Sequence, residues 1–137
     1  MYSRIKALPL LLLALLFLSA FYGCPGSKPT ITIQAIDCPT DQITIDDKST
    51  VRSASGDQWV LNAKVIVKCN GEVYKDAEII VSFWWPNGTT KLKTNEKGEA
   101  TYTKRGHGSL PYGEKFKVTI KGSDGEKEKE FELKRNN

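Results

Sequence analysis

The chain has 137 residues, of which 39% are hydrophobic and 26% charged, with a formal net charge of +4, three cysteines and one histidine. That length leaves room for one ordinary domain beyond a targeting segment, and so small a positive excess gives no reason to expect nucleic-acid binding. Three scattered cysteines and a lone His107 lack the number and spacing of a zinc site, and no cofactor is implied.

In chain order, residues 1–6 carry Arg4 and Lys6, and residues 7–22 are uncharged and dominated by leucine. A positive start followed by an apolar core is the pattern of an export signal, expected to be helical. The apolar run is shorter than the roughly 20 residues that span a bilayer comfortably, and an uncleaved signal anchor stays open as an alternative. Cleavage after Ala20 would release a secreted chain, although Leu18 is large for its place. Gly23-Cys24 looks like the end of a lipobox, with Phe21-Tyr22 departing from the usual pattern. If Cys24 carries lipid, Cys38 and Cys69 remain as an even pair, free to form a disulfide outside the cytosol. Residues 1–23 thus read as signal peptide or signal anchor, residues 24–29 (CPGSKP) as a flexible tether, and residues 30–135 as the domain. The expected location is the outer face of the cell membrane or the cell surface. Membrane lipid is then a partner, met through Cys24 or through the apolar segment.

The domain begins with an alternating stretch, residues 30–36, that reads as a first strand ended by Cys38-Pro39. Residues 43–45 suit a short strand, 46–50 a polar turn and 52–57 a loop. The adjacent Asp46 and Asp47 lack the regular spacing of a calcium loop. Residues 59–69 are the cleanest strand. Trp59, Leu61, Ala63, Val65, Val67 and Cys69 share one face, and Asn70-Gly71 turns the chain. Residues 77–103 organise the rest. Ala77, Ile79, Val81, Phe83 and Trp85 share a parity. Pro86 stops the ladder, Asn87-Gly88 supplies a tight turn, and two further strands follow around the Asn95–Gly98 turn. Residues 104–113, with His107 between two glycines, read as a linking loop. Phe116, Val118 and Ile120 face inward in the next strand, Gly122–Gly125 turns it, and residues 127–134 return with alternating charge.

The stretch DAEIIVSFWWPNGTTKLKTNEKGEATYT, with the later EKFKVTIKG, resembles the immunoglobulin-like modules of bacterial and archaeal surface proteins. The motif residues are Thr94, Asn95, Gly98 and Ala100. The same motif is shared by transthyretin-like and carboxypeptidase-regulatory-like sandwiches, so the resemblance implies a fold and not a ligand. With about seven strands and no helical period after residue 23, the expected fold is all-β, a Greek-key immunoglobulin-like β-sandwich after an N-terminal hydrophobic signal helix.

No paired carboxylates, activated nucleophile or metal cluster stands out, so a non-catalytic module is expected. It would be a binding or structural component of the cell envelope, meeting an envelope protein or a carbohydrate. Trp84 on the outer parity, with Tyr74 and Tyr112, forms the candidate contact surface. Asn87-Gly88-Thr89 is a glycosylation sequon in a turn. Two other readings fit the sequence. One is a filament subunit that self-associates by strand exchange through residues 30–36. The other is an accessory subunit of an envelope transport or secretion complex.

Overall fold

The computed structural model describes residues 30–84 and 88–135. The expected export signal, Cys24, the expected tether and residues Trp85, Pro86 and Asn87 lie outside the described residues. Among the described residues nine strands run in chain order: β1 Ile43–Asp47, β2 Thr50–Ser53, β3 Gln58–Cys69, β4 Glu72–Val73, β5 Glu78–Phe83, β6 Gly88–Lys93, β7 Glu99–His107, β8 Lys115–Gly122 and β9 Gly125–Glu132. Among the described residues no helix is long and apolar enough to cross a membrane.

The strands form two antiparallel sheets in a sandwich-like arrangement. In the first, β3 is central, with β1 and β2 along one side and β7 and β4 along the other. The second has the order β6-β5-β8-β9. The alternation read in the sequence for β3 is the inner face of the first sheet: Trp59, Leu61, Ala63, Val65 and Val67 are buried. Ile79, Val81 and Phe83 of β5 and Phe116, Val118 and Ile120 of β8 supply the inner face of the second. Burying each such large side chain contributes about 1.5–3 kcal/mol, whereas an exposed ion pair contributes about 0–1 kcal/mol. The inner faces therefore hold the domain together.

β1 and β2 behave as one strand with a two-residue gap. Ile43 pairs with Cys69 and Ser53 with Trp59 without any slip of register across Lys48-Ser49. The Ser49 side chain fills the gap, its Oγ accepting from the Lys64 N–H at 3.0 Å while Lys48 N–H reaches the Lys64 carbonyl at 2.8 Å. A hydroxyl thus stands in for a missing backbone acceptor.

Several expected boundaries move. Residues 52–53, read as loop, pair with Val60 and Trp59 in β2. Residues 104–107, also read as loop, continue β7 to the end of β3. Lys104, Arg105 and Gly106 look like loop chemistry, but the backbone of Trp59 and Leu61 needs a neighbour there. Gly106 is required because the Trp59 indole lies directly over it. A Cβ at that position would come 2.6 Å from Cη2 and nearer still to Cζ2.

Residues 30–36 do not form the expected strand. They run as a strap held largely through side chains. Gln34 N–H donates to Glu78 Oε2 at 2.8 Å, and Lys91 Nζ donates to the Thr32 carbonyl at 3.2 Å. Only Ile36 joins the second sheet, its N–H donating to the Lys121 carbonyl at 2.8 Å. The alternation in the sequence was present, but β5 and β8 each already have two strand neighbours and offer no free ladder. Past the strap, Cys38 is fully buried and bonded to Cys69 at the end of β3, with the two Cα atoms 6.1 Å apart.

The Thr94, Asn95, Gly98, Ala100 motif is a corner between the sheets. Buried Thr94 Oγ1 accepts from Ala77 N–H at 2.8 Å and donates to the Tyr74 carbonyl at 2.7 Å. Asn95 Oδ1 accepts from the N–H groups of Lys97 and Glu99, and Gly98 takes a positive φ of 69°. Ala100 then enters β7 buried, pairing with Val65. Thr94→Val keeps the shape and removes both hydrogen bonds, leaving a buried donor and acceptor unpaired. It is expected to lower unfolding free energy by about 1–3 kcal/mol, read as a shift of the urea midpoint at constant slope.

Candidate contact surface

The three aromatic residues singled out in the sequence occupy two ends of β5. Trp84 follows the last residue of β5 and is 57% exposed, its N–H reaching the Lys115 carbonyl at 3.5 Å. Tyr112 precedes β8 at that same end, since β5 and β8 are antiparallel. It is partly exposed, and the Arg135 guanidinium sits 5.9 Å from its ring centroid. Tyr74 lies before the start of β5, at the other end. It packs against the core, and its phenol oxygen accepts from Asp37 N–H at 3.3 Å. Trp84 and Tyr112 therefore share one end of the sandwich, and Tyr74 belongs to the strap end. There it lines an open cleft of about 320 Å³ together with Gln34, Ile36, Asp37, Lys75 and Asp76.

Beside Trp84 the outer face of the second sheet is a ladder of charge. Lys115 pairs with Glu130 at 2.7 Å and Lys117 with Glu128 at 2.8 Å. Lys91 meets Glu78 at 2.8 Å. On the first sheet Lys64 meets Glu99 at 2.7 Å and Lys68 meets Asp46 at 2.8 Å. The lysine hydrogen bonds hold the carboxyls of Asp46, Glu78, Glu99 and Glu128 below their ordinary values. Asp124 is also held low, first by the Thr40 N–H that donates to it at 2.8 Å. Lys115 is held above its ordinary value by Glu130.

The sign of the pH dependence follows. A lowered carboxylate contributes stability that is complete above its unfolded pKa and is lost as pH falls through the folded one. The melting temperature is therefore expected to be flat near neutrality and to fall progressively below about pH 4, as five carboxylates lose their partners together. Scanning calorimetry across acid pH reads this directly, and a rise in melting temperature below pH 4 would refute it.

In the sequence His107 reads as part of a linking loop, between two glycines. The fold brings Asp57, from the β2–β3 turn, to 3.2 Å between Oδ1 and His107 Nδ1. Both side chains are largely exposed, and Gly108 N–H donates to the Asp57 carbonyl at 2.8 Å, so the pair ties the turn to the end of β7. No linear signal could show this, because the residues lie fifty positions apart and meet only once β7 is extended as a strand. Among the described residues no group of three or more His, Cys, Asp or Glu is placed to hold a metal ion. No protein-family model, no curated protein and no solved structure matches the chain.

Proposed function

We propose that this chain is an exported, non-catalytic module of Greek-key immunoglobulin-like architecture. Its N-terminus tethers it to the outer face of the cell membrane, where it serves as a binding or structural component of the envelope. The observation that carries the reading is the Cys38–Cys69 bridge within one chain. Disulfides of this kind persist in oxidising compartments, and the positive, leucine-rich start of the sequence supplies the route there. With those two cysteines engaged, Cys24 is the odd thiol, and lipid on it accounts for the count. The intrachain bridge also favours a self-contained domain over strand exchange through residues 30–36, because it ties the end of that segment to its own β3. The Trp84–Tyr112 end is the surface offered to an envelope protein or carbohydrate, and the Asn87-Gly88-Thr89 sequon is close to Trp84 in sequence.

Intact mass of the membrane-extracted protein, before and after reduction, tests the reading. The expected species begins at Cys24, is heavier by a lipid, and gains one hydrogen per sulfur of the bridge on reduction. A chain that keeps Met1, or begins after Ala20 without lipid, would overturn the tether through Cys24.

A further inference from the structure

Among the described residues the two sheets leave four edges, and three of them are guarded. The free edge of β1 and β2 is broken at Lys48-Ser49, and its Ile45 carbonyl is already taken by Lys129 Nζ at 2.8 Å. Along β9 the residues whose backbone faces outward are Glu126, Glu128, Glu130 and Glu132. Two such edges meeting about a two-fold axis would set glutamate against glutamate. Along β6 the corresponding residues are Thr89, Lys91 and Lys93, with Lys91 bound to the strap.

β7 is different. It runs nine residues without a break or a proline, and among the described residues β3 is its one strand neighbour. Val67 N–H donates to the Gly98 carbonyl, which fixes the alternation: the even-numbered residues of β7 bond to β3. The backbone N–H and C=O groups of Thr101, Thr103 and Arg105 consequently point away from the sheet. No backbone hydrogen bond reaches them among the described residues. The strand is held rigid from behind by Tyr102, whose ring lies 5.4 Å from that of Phe83.

We propose that this edge of β7 is the docking site for a second copy of the chain, the two β7 strands pairing antiparallel about Thr103. Thr103 is the midpoint of Glu99–His107, so pairing about it sets the outward-facing backbone of Thr101, Thr103 and Arg105 against the same three residues of the second copy, the Glu99 backbone being already bonded to Asn95. That register sets Thr101 against the partner copy's Arg105 and Glu99 against its His107, with no like charges directly opposite. The product is one continuous sheet across the two-fold axis, an isologous interface that closes on itself. This proposal goes beyond the envelope reading and does not depend on it.

The test uses the full chain in detergent, with the protein mass measured by sedimentation. The wild-type protein is expected to be a dimer. Thr101→Lys, which puts a lysine opposite Arg105 and disturbs no hydrogen bond within the domain, is expected to abolish it with an unchanged circular dichroism spectrum. Independently, Thr103→Cys in a Cys24→Ser background is expected to give a covalent dimer with a short thiol cross-linker. Lys91→Cys on β6 in the same background, and the Cys24→Ser chain itself, should give none. A monomeric wild-type chain overturns the proposal, as does a dimer that survives Thr101→Lys or cross-linking that is as strong at Lys91 as at Thr103. If Thr101→Lys fails to fold, the cross-linking contrast alone decides.

Discussion

Gly106→Ala is expected to lower the unfolding free energy of the domain by about 3–5 kcal/mol. The added methyl would stand within 2.6 Å of Cη2 of Trp59 and closer to Cζ2, inside any permissible contact. Trp59 is 2% exposed and lies in the core, with Nε1 donating to the His107 carbonyl at 3.2 Å. Neither partner can give way cheaply, because the glycine is in a nine-residue strand and the indole is wedged between sheets. Driving the ring out forfeits the burial of a large aromatic side chain, about 3–5 kcal/mol. Against a typical stability of about 5–15 kcal/mol, that consumes roughly a fifth of the margin or more. Chemical denaturation followed by tryptophan fluorescence reads the loss. Gly108→Ala is the control: its Cβ would meet nothing within 4 Å, and only its positive φ of 83° opposes the change. It should cost about 1 kcal/mol. Equal effects at the two positions would show that the indole does not lie over Gly106.

The second large effect is removal of the bridge. Cys38 and Cys69 are 31 positions apart, and closing a loop of that length restricts the unfolded chain by about 3–4 kcal/mol on the chain-entropy account. The paired Cys38→Ala, Cys69→Ala variant is expected to lose that much, read as a lower urea midpoint. The reduced wild-type protein should fall close to it. The loss should also have a local character. Residues 36–42 are fastened by a few bonds, among them Ile36 N–H to Lys121, Ser123 N–H to the Cys38 carbonyl and Lys127 Nζ to the Thr40 carbonyl. Amide exchange should accelerate there before it does in β5 or β8. Unchanged stability after reduction would mean that the unfolded chain is already compact around the two cysteines.

Much of this was legible in the sequence for a physical reason. Where one face of a strand is buried and the other solvated, the period of two is written plainly, as in β3, β5 and β8. The Cys38–Cys69 pairing was available from the count alone once Cys24 was set aside. Three features were not legible. Residues 30–36 alternate like a strand yet lie against β5 and β8, each already flanked by two strands, and a pattern cannot report whether a neighbour is free. Gly106 looked like loop because glycine marks turns far more often than it marks a ring crossing a backbone. The Asp57–His107 pair joins two hairpin ends that only the register of β7 against β3 brings together.

The strap and the bridge also define how the domain would bear a load. A pull on the chain at Ile31 meets the strap's holds singly: the Thr32 carbonyl on Lys91, then Gln34 N–H on Glu78, then Ile36 N–H on Lys121. Bonds broken in sequence give way at low force, so the segment unzips and lengthens the link. At Cys38 the mode changes. Tension crosses a covalent bond into the end of β3, the strand flanked on both sides within its sheet, where several ladder bonds must shear at once. The domain is thus provided with a compliant lead followed by a hard stop, and a single redox-sensitive bond separates the two.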